Sequence, residues 1–195
     1  MPHAFRVSGV DVVLRPFCHD DAAELLRIQI QHRQSFAPYV PLRSETFFTA
    51  EGQHLQIDAD LERWQTDQGY AYAITQERRL IGRVALSNVV RGAWRSATLG
   101  YWVDPEYQGK GYATQAVQGI LWAAFEGLDL HRVQAAVMPK NTPSIRVVQK
   151  AGFVCEGYAP YYLNINGQWQ DHKVFSCTQE LWDGAPGFSL HKIGL

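Results

Sequence analysis

Apolar residues are spaced in two different ways along this chain, and the spacing predicts its secondary structure. Segments in which apolar residues alternate with polar ones or form short runs predict β-strands, whereas recurrence every three or four positions predicts helices. The predicted strands are Val10–Leu14, Tyr70–Ile74, Leu80–Leu86, Ala97–Val103, Arg132–Met138, Phe153–Leu163 and Lys173–Thr178. The predicted helices run from His19 to Ile30, from Glu51 to Asp67, from Gly111 to Glu126 and from Asn141 to Ala151.

The order of these elements predicts the fold class. One strand precedes two helices and three strands, and a helix, a strand, a helix and two strands then complete the chain. This order is typical of a mixed α/β sheet. Because the chain has no repeat and no long linker, we expect a single domain over residues 1–195, with residues 183–195 as a peripheral C-terminal tail. We also expect a polar connection at Ser87–Arg95 and a tight turn at Asn166-Gly167.

Composition and charge exclude several classes of protein. Hydrophobic residues make up 46% of the 195 residues and charged residues 19%, as in globular domains. A net charge of −1 gives no reason to expect a nucleic-acid partner. No apolar run approaches the roughly 20 residues of a membrane span, and the N-terminus lacks an apolar signal core. Three widely spaced cysteines suit a reducing cytosol better than a disulfide framework, so we expect a cytoplasmic protein.

The segment from Trp102 to Ala113 has the pattern of a phosphate-binding turn. A strand stops at Asp104-Pro105, two glycines flank Lys110, and a helical pattern follows immediately. The first N–H groups of a helix have no intrahelical acceptor, and glycines let the backbone approach a ligand closely. The segment is not a Walker loop, because no Ser or Thr follows Lys110, and it lacks the third glycine of a dinucleotide-binding fingerprint.

A second informative segment follows one helix and one strand later. Asn141 and Ser144 stand near the start of a short helix that ends at Gly152-Phe153. Residue type alone allows a simple explanation, in which Asn141 is only the N-cap and Ser144 only a surface serine.

Together the two segments resemble the acetyl-CoA-binding segments of the GCN5-related N-acetyltransferases (GNAT). Gln108, Gly111 and Ala113 fit the pattern Q/R-x-x-G-x-G/A, and Asn141 begins the N-x-x-S segment, which K-x-G-F follows. The segments Ser87–Gly92, Glu156–Tyr158 and Tyr162–His172 resemble the RimJ/RimL branch, the ribosomal-protein-alanine N-acetyltransferases, and RimJ more closely.

The resemblance implies a fold and a cosubstrate. The fold is a single α/β (α+β) domain with a mixed, mostly antiparallel twisted sheet of about six to seven strands and about four flanking helices. The cosubstrate is acetyl-CoA, and no metal is implied. The residues expected to bind it are Trp102, Val103, Gln108, Gly109, Lys110, Gly111, Tyr112, Ala113, Asn141 and Ser144.

The resemblance also implies catalytic roles, with two departures from the family pattern. Val148 stands where many members carry a tyrosine that protonates the leaving thiolate, so we expect Ser144 to be the thiolate-side general acid, as in RimL-like members. The strand before the loop contains no acid, so the general base stays open among Glu156, Asp171 and His172. The candidate acceptor-binding residues are Asn88, Arg91, Tyr161 and Tyr162.

The acceptor is the least determined part of the prediction. The leading hypothesis is a protein N-terminal α-amine, such as that of a ribosomal protein, because a site without an evident strong base suits an amine of low pKa. The alternatives are a small amine, such as an amino sugar, polyamine or antibiotic, and a weakly catalytic CoA-binding or ribosome-associated module. A cationic acceptor would predict an acidic cleft, and acids are enriched at Glu45, Glu51, Asp58, Asp60 and Glu62. The sequence leaves monomer or homodimer open.

Overall fold

One nine-stranded sheet forms the centre of this protein. The structure is a computed structural model that describes residues 4–7, 12–184 and 190–193. The strands are β1 (Ala4–Val7), β2 (Val12–Pro16), β3 (Gly69–Gln76), β4 (Arg79–Val90), β5 (Ser96–Val103), β6 (Arg132–Val137), β7 (Val154–Ile165), β8 (Gln168–Thr178) and β9 (Leu190–Ile193). Their order across the sheet is β7-β8-β6-β5-β4-β3-β2-β1-β9.

Within the described ranges, five α-helices flank the sheet. They are α1 (Ala22–Gln31), α2 (Arg33–Phe36), α3 (Ala50–Gln65), α4 (Tyr112–Trp122) and α5 (Thr142–Lys150). A π-helical turn, Ala123–Gly127, extends α4. None of the helices in the described ranges is both long enough and apolar enough to span a bilayer.

The strand pairing confirms the predicted mixed, mostly antiparallel sheet. Every pair of neighbouring strands is antiparallel except β5 and β6, which are parallel. The parallel pairing covers only three residues of β5, Ser96 to Thr98, opposite Arg132 to Gln134. Past Thr98, β5 continues beside β4 alone as far as Val103. A gap therefore opens between β5 and β6 at the end of β5 that leads into the predicted phosphate turn.

The elements agree with the sequence pattern except at a few boundaries. Strand β4 runs on to Val90, so the first four residues of the predicted polar connection are strand, and a bulge at Asn88 lets it continue. The short strands β1 and β9 pair with each other and were not predicted, because four residues carry little periodicity. Part of the predicted tail thus adds a strand at the sheet edge. Val10, the predicted start of the first strand, lies outside the described residues, as do tail residues 185–189 and 194–195.

Successive side chains of β3, β4 and β5 point to opposite faces of the sheet, and a separate hydrophobic core lies on each face. One face carries large apolar side chains that pack against α4 and α5. The opposite face carries small residues, Ala71, Ala73 and Ala85, which pack against α1 and α3. The register pairs Arg83 of β4 with Trp102 of β5, so both side chains lie on the small-residue face. Their neighbours Val84 and Tyr101 pair on the α4 face.

A buried aspartate links the N-terminal helices to the end of β5. Asp104 is fully buried, and its carboxylate accepts a hydrogen bond from the N–H of Glu106 at 3.0 Å. Arg27 of α1 donates to the same carboxylate at 3.2 Å, and Nε2 of His32 lies 3.2 Å from it. Because these contacts come from both sides, Asp104 sets the direction in which the chain leaves β5.

Replacing Asp104 tests this link. We expect Asp104→Ala to lower the free energy of unfolding by about 2 kcal/mol, because it removes a capping acceptor and leaves the Arg27 hydrogen bond unmade. Urea denaturation measures the change. The neighbouring Glu106→Ala is a matched control, since exposed Glu106 accepts one side-chain hydrogen bond, from Gln31, and its loss should cost under about 0.5 kcal/mol. Equal losses in the two variants would contradict the role given to Asp104.

Candidate active site

The predicted phosphate turn has the backbone geometry that anion binding requires. A 3-10 turn, Pro105–Tyr107, follows β5, and Gly109 and Gly111 adopt φ values of 76° and 86°. These left-handed conformations suit glycine. Gly111 is the N-cap of α4. No protein acceptor contacts the N–H groups of Gly109, Lys110 or Gly111 within the described ranges, and those of the first turn of α4 have no intrahelical acceptor.

Side chains within this turn hold its shape. Gln108 donates from Nε2 to the carbonyl of Val103 at 3.2 Å, which ties the turn back to the end of β5. The ammonium group of Lys110 lies 5.1 Å from the centre of the Tyr107 ring. The turn therefore offers a run of N–H groups at a helix N-terminus, beside a lysine. This is the arrangement that binds a pyrophosphate.

The gap between β5 and β6 lies directly before this turn. Residues Leu99 to Val103 pair with β4 on one side, and no described strand pairs with their other side. Backbone groups along this edge are available to an extended ligand, as in recognition by strand addition. The gap and the turn together fit the pantetheine arm and the pyrophosphate of acetyl-CoA, because they supply consecutive backbone donors and acceptors.

The second predicted segment lies beside the same gap. Asn141 caps α5, accepting at Oδ1 from the N–H of Ser144 at 3.2 Å. The hydroxyl oxygens of Ser144 and Tyr101 are 2.7 Å apart, and the Tyr101 hydroxyl also lies 3.2 Å from the Ser144 carbonyl. Tyr101 thus connects β5 to the start of α5. Burial raises the pKa of Tyr101 to about 12, and the Ser144 hydrogen bond only partly opposes this, so its hydroxyl keeps its proton at neutral pH.

Val148 takes no part in this arrangement. Its side chain is fully buried in the core beneath α4 and α5. The tyrosine that many family members carry at this position is therefore replaced by a core contact, and the hydroxyls available beside the gap are those of Ser144 and Tyr101.

Of the three predicted base candidates, Glu156 is not brought together with Ser144. Its carboxylate forms an ion pair with Arg132 at the start of β6 and accepts from the Ser176 hydroxyl at 2.7 Å. The Arg132 hydrogen bond holds the pKa of Glu156 below its usual range. By register, Glu156 lies beside Phe175 and Val174 of β8, so it is the ion pair with Arg132 that directs its carboxylate towards the start of β6. These contacts correct the expectation that Glu156 is positioned as the base.

Asp171 is also engaged elsewhere. It accepts from the Tyr158 hydroxyl at 2.5 Å and from the N–H of Tyr161 at 2.8 Å, and these bonds lower its pKa. They hold β7 around Tyr161, whose φ of 51° marks a break in the β7–β8 register. Tyr161 is 75% exposed. Asp171 and Tyr161 therefore shape the hairpin, and Asp171 is not free to act as a base.

His172 stays the base candidate whose position fits best. Its side chain is buried. The next residue, Lys173, pairs with Val137 at the end of β6 that leads to Asn141. Its Nδ1 lies 2.9 Å from the Gln170 carbonyl, and its ring centre is 5.7 Å from that of Tyr162. The structure thus places His172 and Tyr162 together at the end of the sheet where α5 begins.

Two predicted acceptor-binding residues have structural roles at the other end of the sheet. Asn88 adopts a φ of 51° at the β4 bulge. Arg91 donates to both oxygens of Asp67, at 2.6 and 2.5 Å, and to the Leu128 carbonyl at 2.5 Å. It follows Val90, which pairs with Ser96 at the start of β5. The start of β5 lies about 23 Å along the strand from Val103 at its other end. This distance corrects the expectation that Arg91 contacts the acceptor.

A cavity of about 380 Å³ lies on the small-residue face of the sheet. Trp102 of β5 lines it together with α1, α2, α3 and the segment between α2 and α3. Asn166, at the tip of the β7–β8 hairpin, closes one side and donates its N–H to the Val40 carbonyl at 3.0 Å. Because Trp102 and Tyr101 point to opposite faces of β5, the cavity and Ser144 flank the same stretch of strand.

The charges in this cavity do not form the acidic cleft that a cationic acceptor predicts. Four arginines line it, Arg33, Arg43, Arg63 and Arg83, and Asp60 is its one acidic lining residue. Asp60 is buried and accepts from Arg83 at 2.9 and 3.0 Å and from Arg63 at 3.0 Å. Among the other acids enriched here, Glu45 pairs with Arg33 and Asp58 with His19.

Comparison with known proteins decides the family. The family model described as "Acetyltransferase (GNAT) domain" matches residues 11–154, most of the chain. The chain belongs to the GNAT acetyltransferase family. It is an acetyl-CoA-dependent N-acetyltransferase, and the predicted fold and cosubstrate are confirmed.

Relatives place this N-acetyltransferase in the RimJ/RimL group. It is 40% identical to the probable N-acetyltransferase YjcK of Bacillus subtilis, over 87% of this chain and 95% of the relative. It is 31% identical to the [Ribosomal protein uS5]-alanine N-acetyltransferase of Escherichia coli, over 91% of this chain and 92% of the relative. The solved structure of Mycobacterium smegmatis RimJ in complex with CoA-disulfide superposes with a TM-score of 0.86 at 31% identity, covering 92% and 87% of the two chains.

Sequence reasoning missed several residues of this N-acetyltransferase that the fold brings to the site. Tyr101 had the pattern of an ordinary strand residue, and only the contact with Ser144 distinguishes it. Arg43 and Arg83 come from separate segments whose spacing follows no motif, and their meeting with Asp60 was not predicted. An inward-facing arginine on β4 was the one available signal, because charged residues seldom occupy a strand with apolar neighbours on both sides.

Replacing the Ser144 hydroxyl tests its predicted role. We expect Ser144→Ala to lower kcat by about 100-fold with little change in KM for acetyl-CoA, because a proton donor to the leaving thiolate acts in the transition state. Steady-state release of free thiol measures both constants. Tyr101→Phe keeps the ring and removes one hydrogen bond, so we expect a smaller loss, about tenfold. Gln149→Ala, exposed on the same helix, is the control, and unchanged turnover in Ser144→Ala would exclude the donor role.

Proposed function

We propose that this N-acetyltransferase acetylates the α-amine at the N-terminus of a protein, with a ribosomal protein as the first candidate. The observation that carries the proposal is the cavity beside Trp102, which is wide and bears more arginines than acids. Polyamines and aminoglycosides are polycations, and such a surface repels them. A peptide terminus brings a single amine, together with polar backbone groups that the cavity's glutamine and asparagine side chains can bind.

The names of the relatives support the same acceptor class. The E. coli relative is an alanine N-acetyltransferase of ribosomal protein uS5, and the structural neighbour from M. smegmatis is a RimJ. The small-amine alternative has a relative too, the spermidine N(1)-acetyltransferase of Vibrio cholerae, 34% identical over 50% of this chain. The charge of the cavity separates the two, because spermidine would meet arginines where it needs carboxylates.

The chemistry assigned to the chain is direct transfer in a ternary complex. Bound acetyl-CoA supplies an activated acetyl thioester. The acceptor nitrogen bonds to the acetyl carbon as the carbon–sulfur bond breaks, and the nitrogen loses one proton. The leaving sulfur takes one proton from Ser144, which regains a proton from solvent, so that the enzyme returns to its starting state. Tyr101 fixes the Ser144 hydroxyl in place, and His172 is the proposed acceptor of the amine proton, directly or through water.

The need for a base also favours an α-amine. An α-amine with a pKa near 7.8 is roughly 14% neutral at pH 7, whereas a lysine near 10.4 is about 0.04% neutral. The difference corresponds to about 3.5 kcal/mol that a lysine acceptor would require the enzyme to offset. Glu156 and Asp171 are held in hydrogen bonds, so neither is free to provide that help.

A panel of acceptors tests the proposal. We expect a peptide with a free N-terminal alanine to react at pH 7 at least about 100-fold faster, by kcat/KM, than the same peptide with a blocked terminus and a free lysine, or than spermidine. Thiol release gives the rates, and mass spectrometry identifies the acetylated nitrogen. Preference for spermidine would establish the small-amine alternative, and acetyl-CoA binding without turnover on any acceptor would establish the weakly catalytic module.

The dependence of kcat/KM on pH also tests whether the acceptor is an α-amine. With the peptide, kcat/KM should rise with pH and level off near pH 8, as the α-amine loses its proton. Glu156 and Asp171, whose pKa values lie below the usual range, stay charged throughout this interval and add no acidic limb. A profile that still rises at pH 10 would indicate a lysine-like acceptor.

A further inference from the structure

The cavity contains positive charge that the protein itself does not neutralise. Asp60 is shared between Arg83 and Arg63, so one carboxylate faces two guanidinium groups. Arg33 is neutralised by Glu45, which it contacts at 3.1 and 2.5 Å. Arg43 has no carboxylate within 4.0 Å anywhere in the part of the chain that the structure describes. The four arginines and the two acids, Asp60 and Glu45, thus have a net charge of two positive units.

The guanidinium group of Arg43 packs against an aromatic ring instead of pairing with a described carboxylate. Its guanidinium group lies 4.8 Å from the centre of the Phe47 ring, in cation–π contact. Stacking engages the flat face of a guanidinium and leaves its N–H edge for a carboxylate. Arg43 is exposed to solvent on one side. Desolvation, followed by the charge of Arg83, lowers its pKa, and the charge of Asp60 opposes this shift in part. An anion at this edge would restore the lost solvation and offset the repulsion from Arg83.

The position of these charges relates them to the acceptor amine. Arg83 pairs with Trp102 across β4 and β5, and the Trp102 ring packs on Phe36 at 5.5 Å between ring centres. Trp102 is the penultimate residue of β5 and lies next to the gap assigned to the pantetheine arm. A cavity of about 380 Å³ holds a ligand of drug-like size, such as the first few residues of a peptide. An anionic group bound here would therefore belong to the acceptor and lie within a few residues of its amine.

We propose that Arg43 and the Arg83–Asp60–Arg63 cluster form an anion subsite that selects acceptors with an acidic side chain within the first few residues after the reacting amine. The inference rests on the proposed function, because it takes the acceptor to be a protein N-terminus. Asp60 has a positioning role in the subsite, since its hydrogen bonds orient Arg83 and Arg63 towards the cavity. The negative charge comes from the acceptor, as the side chain of aspartate or glutamate.

Matched peptides test the subsite. Two peptides with N-terminal alanine differ only in glutamate or glutamine at the second or third residue. For the wild-type enzyme with acetyl-CoA, we expect kcat/KM to be about tenfold higher with glutamate, mainly through KM. Arg43→Gln should remove most of this ratio, and Arg43→Lys, which keeps charge without the planar fork, should retain part of it. Rising salt should shrink the ratio, because the subsite reaches solvent.

The control variant removes the charge of a different arginine, at a position far from the cavity. Arg95 precedes β5 at its far end and pairs with Asp129 at 2.8 Å. We expect Arg95→Gln to leave the glutamate-to-glutamine ratio unchanged. An equal effect of Arg95→Gln and Arg43→Gln would show that only net charge matters, and would overturn the subsite.

A binding measurement separates this inference from the proposed function. The same peptides, already N-acetylated, are titrated by calorimetry into the enzyme with CoA, so that no turnover is needed. Tighter binding of the glutamate peptide, lost in Arg43→Gln, supports the subsite even if no N-terminal peptide is acetylated, in which case the proposed function fails alone. Equal binding of the two peptides overturns the subsite, even if both free peptides are acetylated.

Discussion

The structure depends on a strand that loses one of its two partners. Strand β5 is paired on both sides only from Ser96 to Thr98, and beyond that point β6 turns away. An unpaired strand edge in a protein interior is costly unless something satisfies its N–H and C=O groups. Here the edge leads straight into a turn with open N–H groups and the N-terminus of α4. A long ligand with an amide-containing arm and a pyrophosphate would satisfy both, so the proposed donor site has the more direct structural support.

In the proposed complex, the same strand lies between the two substrates. Successive side chains of β5 point to opposite faces, so Tyr101 reaches Ser144 on the α5 side while Trp102 lines the cavity proposed for the acceptor on the other. A one-residue shift in the pairing of β4 and β5 would exchange these roles. The register is held by the close approach of Gly82 to the carbonyl of Trp102, where an added Cβ would lie 2.5 Å away, and by Asp104 at the end of the strand.

The prediction of the donor site rests on residues that are close together in the chain. The turn after β5 and the segment from Asn141 to Ser144 each lie within a few residues, and their roles depend on local backbone geometry. The acceptor side behaves differently. Arg43, Asp60 and Arg83 meet only because the segment between α2 and α3, helix α3 and strand β4 pack together, and no spacing encodes that meeting. Arg91 shows the opposite kind of error, because the sequence predicted a functional role for a structural residue. Its partner Asp67 lies 24 residues away, and its neighbours in sequence do not suggest this contact.

A crystal structure of the enzyme with CoA and an N-terminal peptide would test the central claim most directly. The account predicts the pantetheine arm along the free edge of β5, the thiol near Ser144, and the peptide in the cavity beside Trp102 with its amine directed at the thiol. A peptide that enters from the α4 and α5 face, or a CoA arm that leaves the edge of β5 unpaired, would contradict it.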